Sequence, residues 1–165
     1  MSDAMPSALE VTITLDGRDT TLEATPATSL LRALRDAGAT ATTGACEQGE
    51  CGSCSVEIDG RVECSCLVPA LVCHGSVIRT VRSFVRADLA DALAEHGAVQ
   101  CGFCTPGIVV AAEAALADPE PLTEHGVRES LAGNLCRCTG YEGIIAAVLR
   151  VDEARRDASG RERTG

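Results

Sequence analysis

Leu9, Val11, Ile13 and Leu15 alternate with polar residues, the two-residue period of a strand with one face buried. Asp16-Gly17 follows as a hairpin turn, and Thr20–Glu23 reads as the returning strand. Thr28 and Ser29 offer an N-cap to a helix whose apolar stripe is Leu30, Leu31 and Leu34 and whose stop is Gly38. Beyond a cysteine-rich loop, Ser55–Ile58 is predicted to be a strand, Asp59-Gly60 a turn and Arg61–Glu63 its partner. Val77, Ile78 and Val81 form a last alternating stretch that closes this half near residue 82. The order ββαβββ, with a cysteine loop after the helix, is α+β in character.

The second half has the period of helices. Asp88–His96 is a short helix ending at Gly97. Pro106 fits the first turn of an alanine-rich helix through Ile108–Ala117 that stops before Pro119. Thr123 caps a third helix reaching Leu131 and Gly133, and a fourth runs from about Ile144 to Arg155. Four helices with no strand signal make a small bundle. The expected division is 1–82 for the sheet domain, 83–155 for the bundle and 156–165 for a charged, apolar-poor tail expected to be disordered.

Composition removes several classes of function. The formal net charge is −10, and all 14 basic residues are Arg. With that balance and 2% aromatic residues, neither phosphate neutralisation nor base stacking has a surface to use, and no nucleic-acid partner is expected. No apolar run reaches the length of a membrane span, and Met1–Ala8 has neither the basic nor the apolar region of an export signal. A cytoplasmic location is therefore expected. In a reducing compartment clustered thiols bind metal more often than they form disulfides.

The chain has 10 cysteines, and eight fall into two sets. The first is Cys46-x4-Cys51-x2-Cys54 with Cys66 following, the spacing of plant-type [2Fe–2S] ferredoxins. Gly44, Gly49 and Gly52 are expected to let the loop turn its N–H groups toward sulfur. This spacing fits the paired units of structural zinc poorly. The second set is Cys101-x2-Cys104 answered by Cys136-x-Cys138, which on spacing alone is open to zinc as well. Pro106 and Thr123 are expected to place these thiolates at helix ends. Cys64 could in principle replace Cys66 as the fourth ligand, but Cys64 and Cys73 read more simply as free, partly buried thiols. His74, His96 and His125 sit in polar contexts that suit surface or capping roles. No nucleophile–base pair and no phosphate-cradling loop is present, so the chain offers no catalytic centre of its own.

These motifs carry a resemblance. Cys46-Glu-Gln-Gly-Glu-Cys51-Gly-Ser-Cys54-Ser-Val, then Ile58-Asp-Gly and Ser65-Cys66-Leu67, resembles the iron–sulfur subunit of molybdenum hydroxylases, the xanthine dehydrogenase family. Glu95-His-Gly-Ala-Val-Gln100-Cys-Gly-Phe-Cys104-Thr-Pro-Gly107 and Gly133-Asn-Leu-Cys-Arg-Cys-Thr-Gly-Tyr141 look like that family's signatures almost letter for letter. The likeness covers about residues 9–152. It implies a β-grasp, plant-type ferredoxin domain followed by an all-α four-helix-bundle [2Fe–2S] domain. It also implies Cys46, Cys51, Cys54 and Cys66 as ligands of an outer cluster, with Cys64 as an extra thiol. Cys101, Cys104, Cys136 and Cys138 would then hold the cluster nearest the molybdenum. Gln100 and Cys138 match positions that contact the pterin of a molybdopterin cofactor bound by a large partner subunit. Family members usually have Gly directly before the first cysteine and often Lys two residues earlier, where this chain has Ala45 and Thr43.

The resemblance implies an electron-transfer subunit of a heteromeric molybdenum oxidoreductase. Electrons would pass from the molybdopterin site through two [2Fe–2S] clusters to FAD on a medium partner subunit, or to an external acceptor. The rival readings are an independent soluble two-cluster ferredoxin and a non-redox module built on zinc.

Overall fold

The computed structural model describes residues 7–84 and 86–162, with the side chains of 160–162 left aside. Five strands, β1 (Leu9–Leu15), β2 (Arg18–Ala24), β3 (Ser55–Ile58), β4 (Arg61–Cys64) and β5 (Val77–Arg79), form one sheet in the order β2-β1-β5-β3-β4. β1 and β5 are parallel and the other neighbours antiparallel. α1 (Leu30–Asp36) and a 3₁₀ turn at Ala70–Cys73 pack on one face. That mixed sheet with its helix is the β-grasp, plant-ferredoxin architecture.

The expected hairpins form. Asp16 and Gly17 both take positive φ, as do Asp59 and Gly60, the geometry of two-residue turns that match strand twist. Ser29 caps α1 by accepting from the Arg32 N–H at 3.3 Å. Val11, Ile13, Leu22, Leu30, Leu34, Val56 and Ile78 make the core between sheet and helix.

Asp16 has a second task. Its carboxylate accepts from the Thr80 N–H at 2.7 Å, the Thr80 hydroxyl at 2.8 Å and the Ser83 hydroxyl at 2.6 Å. These bonds end β5 at Arg79 and open a short helix, α2 (Val81–Phe84). Val81 therefore leaves the strand expected for it and packs on the helical core. The division expected after residue 82 falls inside α2.

α3 (Ala87–Glu95), α4 (Thr105–Leu116), α5 (Glu124–Ser130) and α6 (Glu142–Glu162) build the second module. Residues 107–113 of α4 are all buried, because this helix touches α2, α5 and α6 in its own module and β3 and β4 in the other. Leu89, Ile108, Val110, Val127, Ile144 and Val148 are the centre of its core.

α6 is longer than its apolar pattern indicates. Residues 156–162, expected to be a disordered tail, continue the helix, and 163–165 lie outside the described residues. The anchors are charged rather than apolar. Arg155 reaches Glu113 at 2.8 Å and Asp88 at 2.7 Å, and Arg156 bonds Asp152 at 2.9 Å and the backbone carbonyls of Asp118, Pro119 and Glu120. Glu113 is 8% exposed, so its partner matters. Glu113→Ala is expected to cost about 3 kcal/mol in denaturant unfolding, because it leaves a desolvated guanidinium short of one counter-charge. An unchanged unfolding midpoint would mean that Asp88 alone holds Arg155.

Candidate functional site: two cysteine loops back to back

The first loop, residues 43–54, joins α1 to β3. The N–H groups of Gln48, Cys51 and Glu50 turn onto the Cys46 sulfur, with Gln48 N at 3.4 Å. These donors, the Gln48 N–H foremost, and the Cys51 thiol lower the Cys46 thiol to about 6. Cys66 lies just past β4 against Cys54, where burial and the bond to Cys54 push it up to about 12. Gly49 and Gly52 take the positive φ expected of them; Gly44 does not, and Glu47 at φ 52° makes that turn instead. A Cβ on Gly44 would lie 3.0 Å from the Leu31 side chain of α1.

The second set comes from two places. Cys101 and Cys104 end the α3–α4 loop, and Cys104 is the residue that caps α4. Cys136 and Cys138 lie in the loop between α5 and α6. Thr123, expected to put thiolates at a helix end, caps α5 and accepts from the Gly126 N–H, with no cysteine beside it. The 134–141 loop is instead held by Tyr141, whose hydroxyl donates to the Asn134 carbonyl and accepts from the Cys136 N–H, both at 2.8 Å. Thr139 donates to the Cys136 sulfur at 3.1 Å. Burial raises the Cys136 thiol, but the Thr139 hydroxyl and the N–H groups of Thr139 and Cys138 outweigh it and bring it to about 7. Its neighbour Cys104 is pushed up to about 12 by burial and by Cys136.

In both sets the thiols are arranged in twos. Cys46 pairs with Cys51 and Cys54 with Cys66; Cys101 pairs with Cys138 at 3.5 Å and Cys104 with Cys136. Two pairs of thiolates are what a dinuclear [2Fe–2S] cluster takes, one pair per iron, and the donor set fits that group in each loop.

The two loops meet through their backbones. The Cys51 carbonyl accepts from the Leu135 N–H at 2.9 Å, one residue before Cys136. Asn134, 5% exposed, donates to the Gly52 carbonyl at 3.0 Å and to the Ser55 hydroxyl at 3.3 Å. The Thr43 hydroxyl is 3.0 Å from both the Ser53 and the Phe103 carbonyls, one in each loop. A Cβ on Gly52 would collide with the Gly133 carbonyl, and one on Gly107 with the Gly52 carbonyl. Sequence reasoning missed Thr43, Asn134 and Gly107 as junction residues, although the signature strings contain the last two.

Gln100, Cys101 and Cys138 are exposed, and Val99, Phe103 and Leu135 beside them are 43%, 49% and 55% exposed. Near the first loop, Leu67 is open at 62%. The histidines do structural work. The His74 ring nitrogen accepts from the Thr12 N–H, His96 bonds the Ala92 carbonyl at the end of α3, and His125 faces Glu129 on the surface. Cys73 is buried and points at the Pro69 carbonyl, away from both loops. Among the described residues no helix is long and apolar enough to cross a membrane.

A plant-ferredoxin sheet module and a helical module, each with a set of four thiols, define a two-cluster iron–sulfur protein. Residues 13–92 match the 2Fe-2S iron-sulfur cluster binding domain and residues 80–149 the [2Fe-2S] binding domain. The chain is 41% identical over 153 residues to the xanthine dehydrogenase iron-sulfur-binding subunit of Escherichia coli O157:H7, covering 89% of this chain and 96% of that one. It is 40% identical to the nicotine 6-hydroxylase small subunit of Paenarthrobacter nicotinovorans, over 90% of this chain and 93% of that one. A quinoline 2-oxidoreductase crystal structure from Pseudomonas putida 86 superposes with a TM-score of 0.85 at 40% identity, covering 92% of this chain and 98% of that chain. The protein belongs to the small iron–sulfur subunits of the molybdenum hydroxylase family and is an oxidoreductase subunit.

Gly107→Ala tests the junction, because its methyl group must push the Gly52 carbonyl away. It is expected to cost about 1–3 kcal/mol in thermal or denaturant unfolding. Gly126→Ala in α5, where the new methyl meets only the Thr123 hydroxyl at 3.4 Å, is the control and should be neutral or stabilising. Equal effects at both positions would show that the loops do not depend on this contact.

Proposed function

We propose that this chain is the electron conductor of a heteromeric molybdenum hydroxylase, carrying electrons from a molybdopterin site on a large subunit to FAD on a medium subunit, or to an external acceptor. Cys101, Cys104, Cys136 and Cys138 hold the inner [2Fe–2S] cluster, and Cys46, Cys51, Cys54 and Cys66 the outer one. When bound, each cluster supplies a one-electron relay. The chain's own residues support this order of the relays. Cys101 and Cys138 lie exposed beside Gln100, within an apolar rim of Val99, Phe103 and Leu135 suited to a protein partner. Gln100 and Cys138 contact the pterin across that face. Leu67, exposed against Gly49 of the other loop, gives the outer site its own apolar approach toward the flavin side or acceptor.

The observation that carries this reading is the 2.9 Å bond from the Leu135 N–H to the Cys51 carbonyl. It joins the residue before one inner ligand to an outer ligand with no side chain between them. An independent carrier has no need of an exposed Gln100 and apolar rim at its inner site, so the subunit reading is favoured over the free ferredoxin.

Iron and acid-labile sulfide, with EPR on the dithionite-reduced chain, test the proposal. About four of each and two S = 1/2 signals are expected from two four-thiolate sites; zinc without sulfide would overturn it. Cys101→Ser or Cys136→Ser should remove one signal and stop electron flow while the other signal stays, and survival of both would refute these ligands. Gln100→Ala should leave both clusters intact and slow reduction by the molybdenum subunit; loss of a cluster would disprove the pterin role.

A further inference from the structure

Five thiols, not four, gather around the first loop. β4 ends at Cys64, and the turn after it is closed by the Leu67 N–H donating to the Cys64 carbonyl at 2.9 Å. Inside that turn Ser65 is fully buried, with its hydroxyl on the Cys54 carbonyl at 2.7 Å. Cys64 and Cys66, one on either side of it, are left half-buried beside the loop.

The two thiols share their surroundings. The Cys64 sulfur is 3.9 Å from the Gly49 carbonyl, and the N–H of the same Gly49 donates to Cys66. The Cys54 thiol is a hydrogen-bond partner of both. Cys64 also lies within Coulombic reach of Cys51 and Cys46, so all three sulfurs of the loop act on it. Cys73 shows what a purely structural thiol looks like in this chain: it is 2% exposed, bonded to the Pro69 carbonyl and acted on by no other thiol.

We infer that Cys64 is a second ligand for the Cys54 half of the outer [2Fe–2S] site, interchangeable with Cys66. The inference rests on reading the Cys46 loop as a cluster site. That half needs one thiolate beside Cys54, and a single three-residue turn offers two. The exchange conserves charge: the entering thiol releases its proton to solvent, the leaving thiolate takes one up, and no electron is gained or lost. Cys64 thereby keeps the outer site filled when Cys66 is blocked or lost.

The test compares EPR signals and iron content of the full chain carrying Cys66→Ala, Cys64→Ala or both, with the inner-cluster signal as the control for folding. Cys64→Ala alone should leave both signals as in the wild type. Cys66→Ala should keep about four iron per chain and two signals, the outer one with shifted g-values, while the double variant falls to about two iron and one signal. Loss of the outer signal in Cys66→Ala, with the inner one retained, would overturn the inference while leaving the cluster reading intact. Loss of the outer signal in Cys64→Ala would overturn it too, by making Cys64 the sole ligand. A wild-type chain without an outer signal would instead overturn the cluster reading itself. Should Cys66→Ala also lose the inner signal, Cys66→Ser with and without Cys64→Ala decides by the same comparison, since serine keeps the side-chain volume. An outer signal that survives in Cys66→Ser and vanishes when Cys64 is also removed supports the inference, and one indifferent to Cys64 overturns it.

Discussion

The two modules are held at a distance set by bare backbone. Gly52 and Gly107 leave no room for a side chain at the junction, and the Gly52 carbonyl lies where a Cβ of α4 would stand. Close approach is what allows Leu135 to donate directly to Cys51 and Asn134 to reach Gly52 and Ser55. Asn134 is buried with its amide donors used on the Gly52 carbonyl and the Ser55 hydroxyl. Because α4 belongs to the helical core and also packs on β3 and β4, any shift of this helix moves both cysteine loops together. The relation between the two sites is thus a property of one helix and two glycines.

Within each loop the thiols are unequal, and the inequality has a local origin. Cys46 and Cys136 face N–H or hydroxyl donors and ionise easily, whereas Cys66 and Cys104 face apolar burial and another sulfur and keep their protons. Engaging all four thiols of a set as thiolates would release protons, which would couple cluster binding to proton release. Hydrogen bonds of this kind to a ligating sulfur set reduction potentials. Modules of this size have small cores, and ligation of four thiolates would add to what burial of Leu30, Val56 and Ile78, or of Ile108 and Val148, provides.

Much of this was legible in the chain. The strand alternation of Leu9–Leu15, the two Asp-Gly turns, the Ser29 cap and the Pro106 helix start are local signals, and local chemistry decides them. The cysteine spacing marked both loops. Readings failed where a distant partner intervened. Val81 left its strand because Asp16, far away in sequence, captures Thr80 and Ser83. The polar end of α6 is helical because Arg155 and Arg156 find Glu113, Asp88 and the carbonyls after α4. Thr123 misled because capping a helix says nothing about which loop lies next to it in space.

The sequence by itself determined the two cysteine sets, the two-module order and the local turns, since spacing, periodicity and capping act over a few residues. Tertiary structure alone decided which thiols pair, that Cys64 shares the surroundings of Cys66, and that the loops touch through Cys51 and Leu135. The last of these relations joins residues more than eighty positions apart. They depend on the path of the backbone through Gly52 and Gly107, where the absence of a side chain matters only once the partner carbonyl is in place.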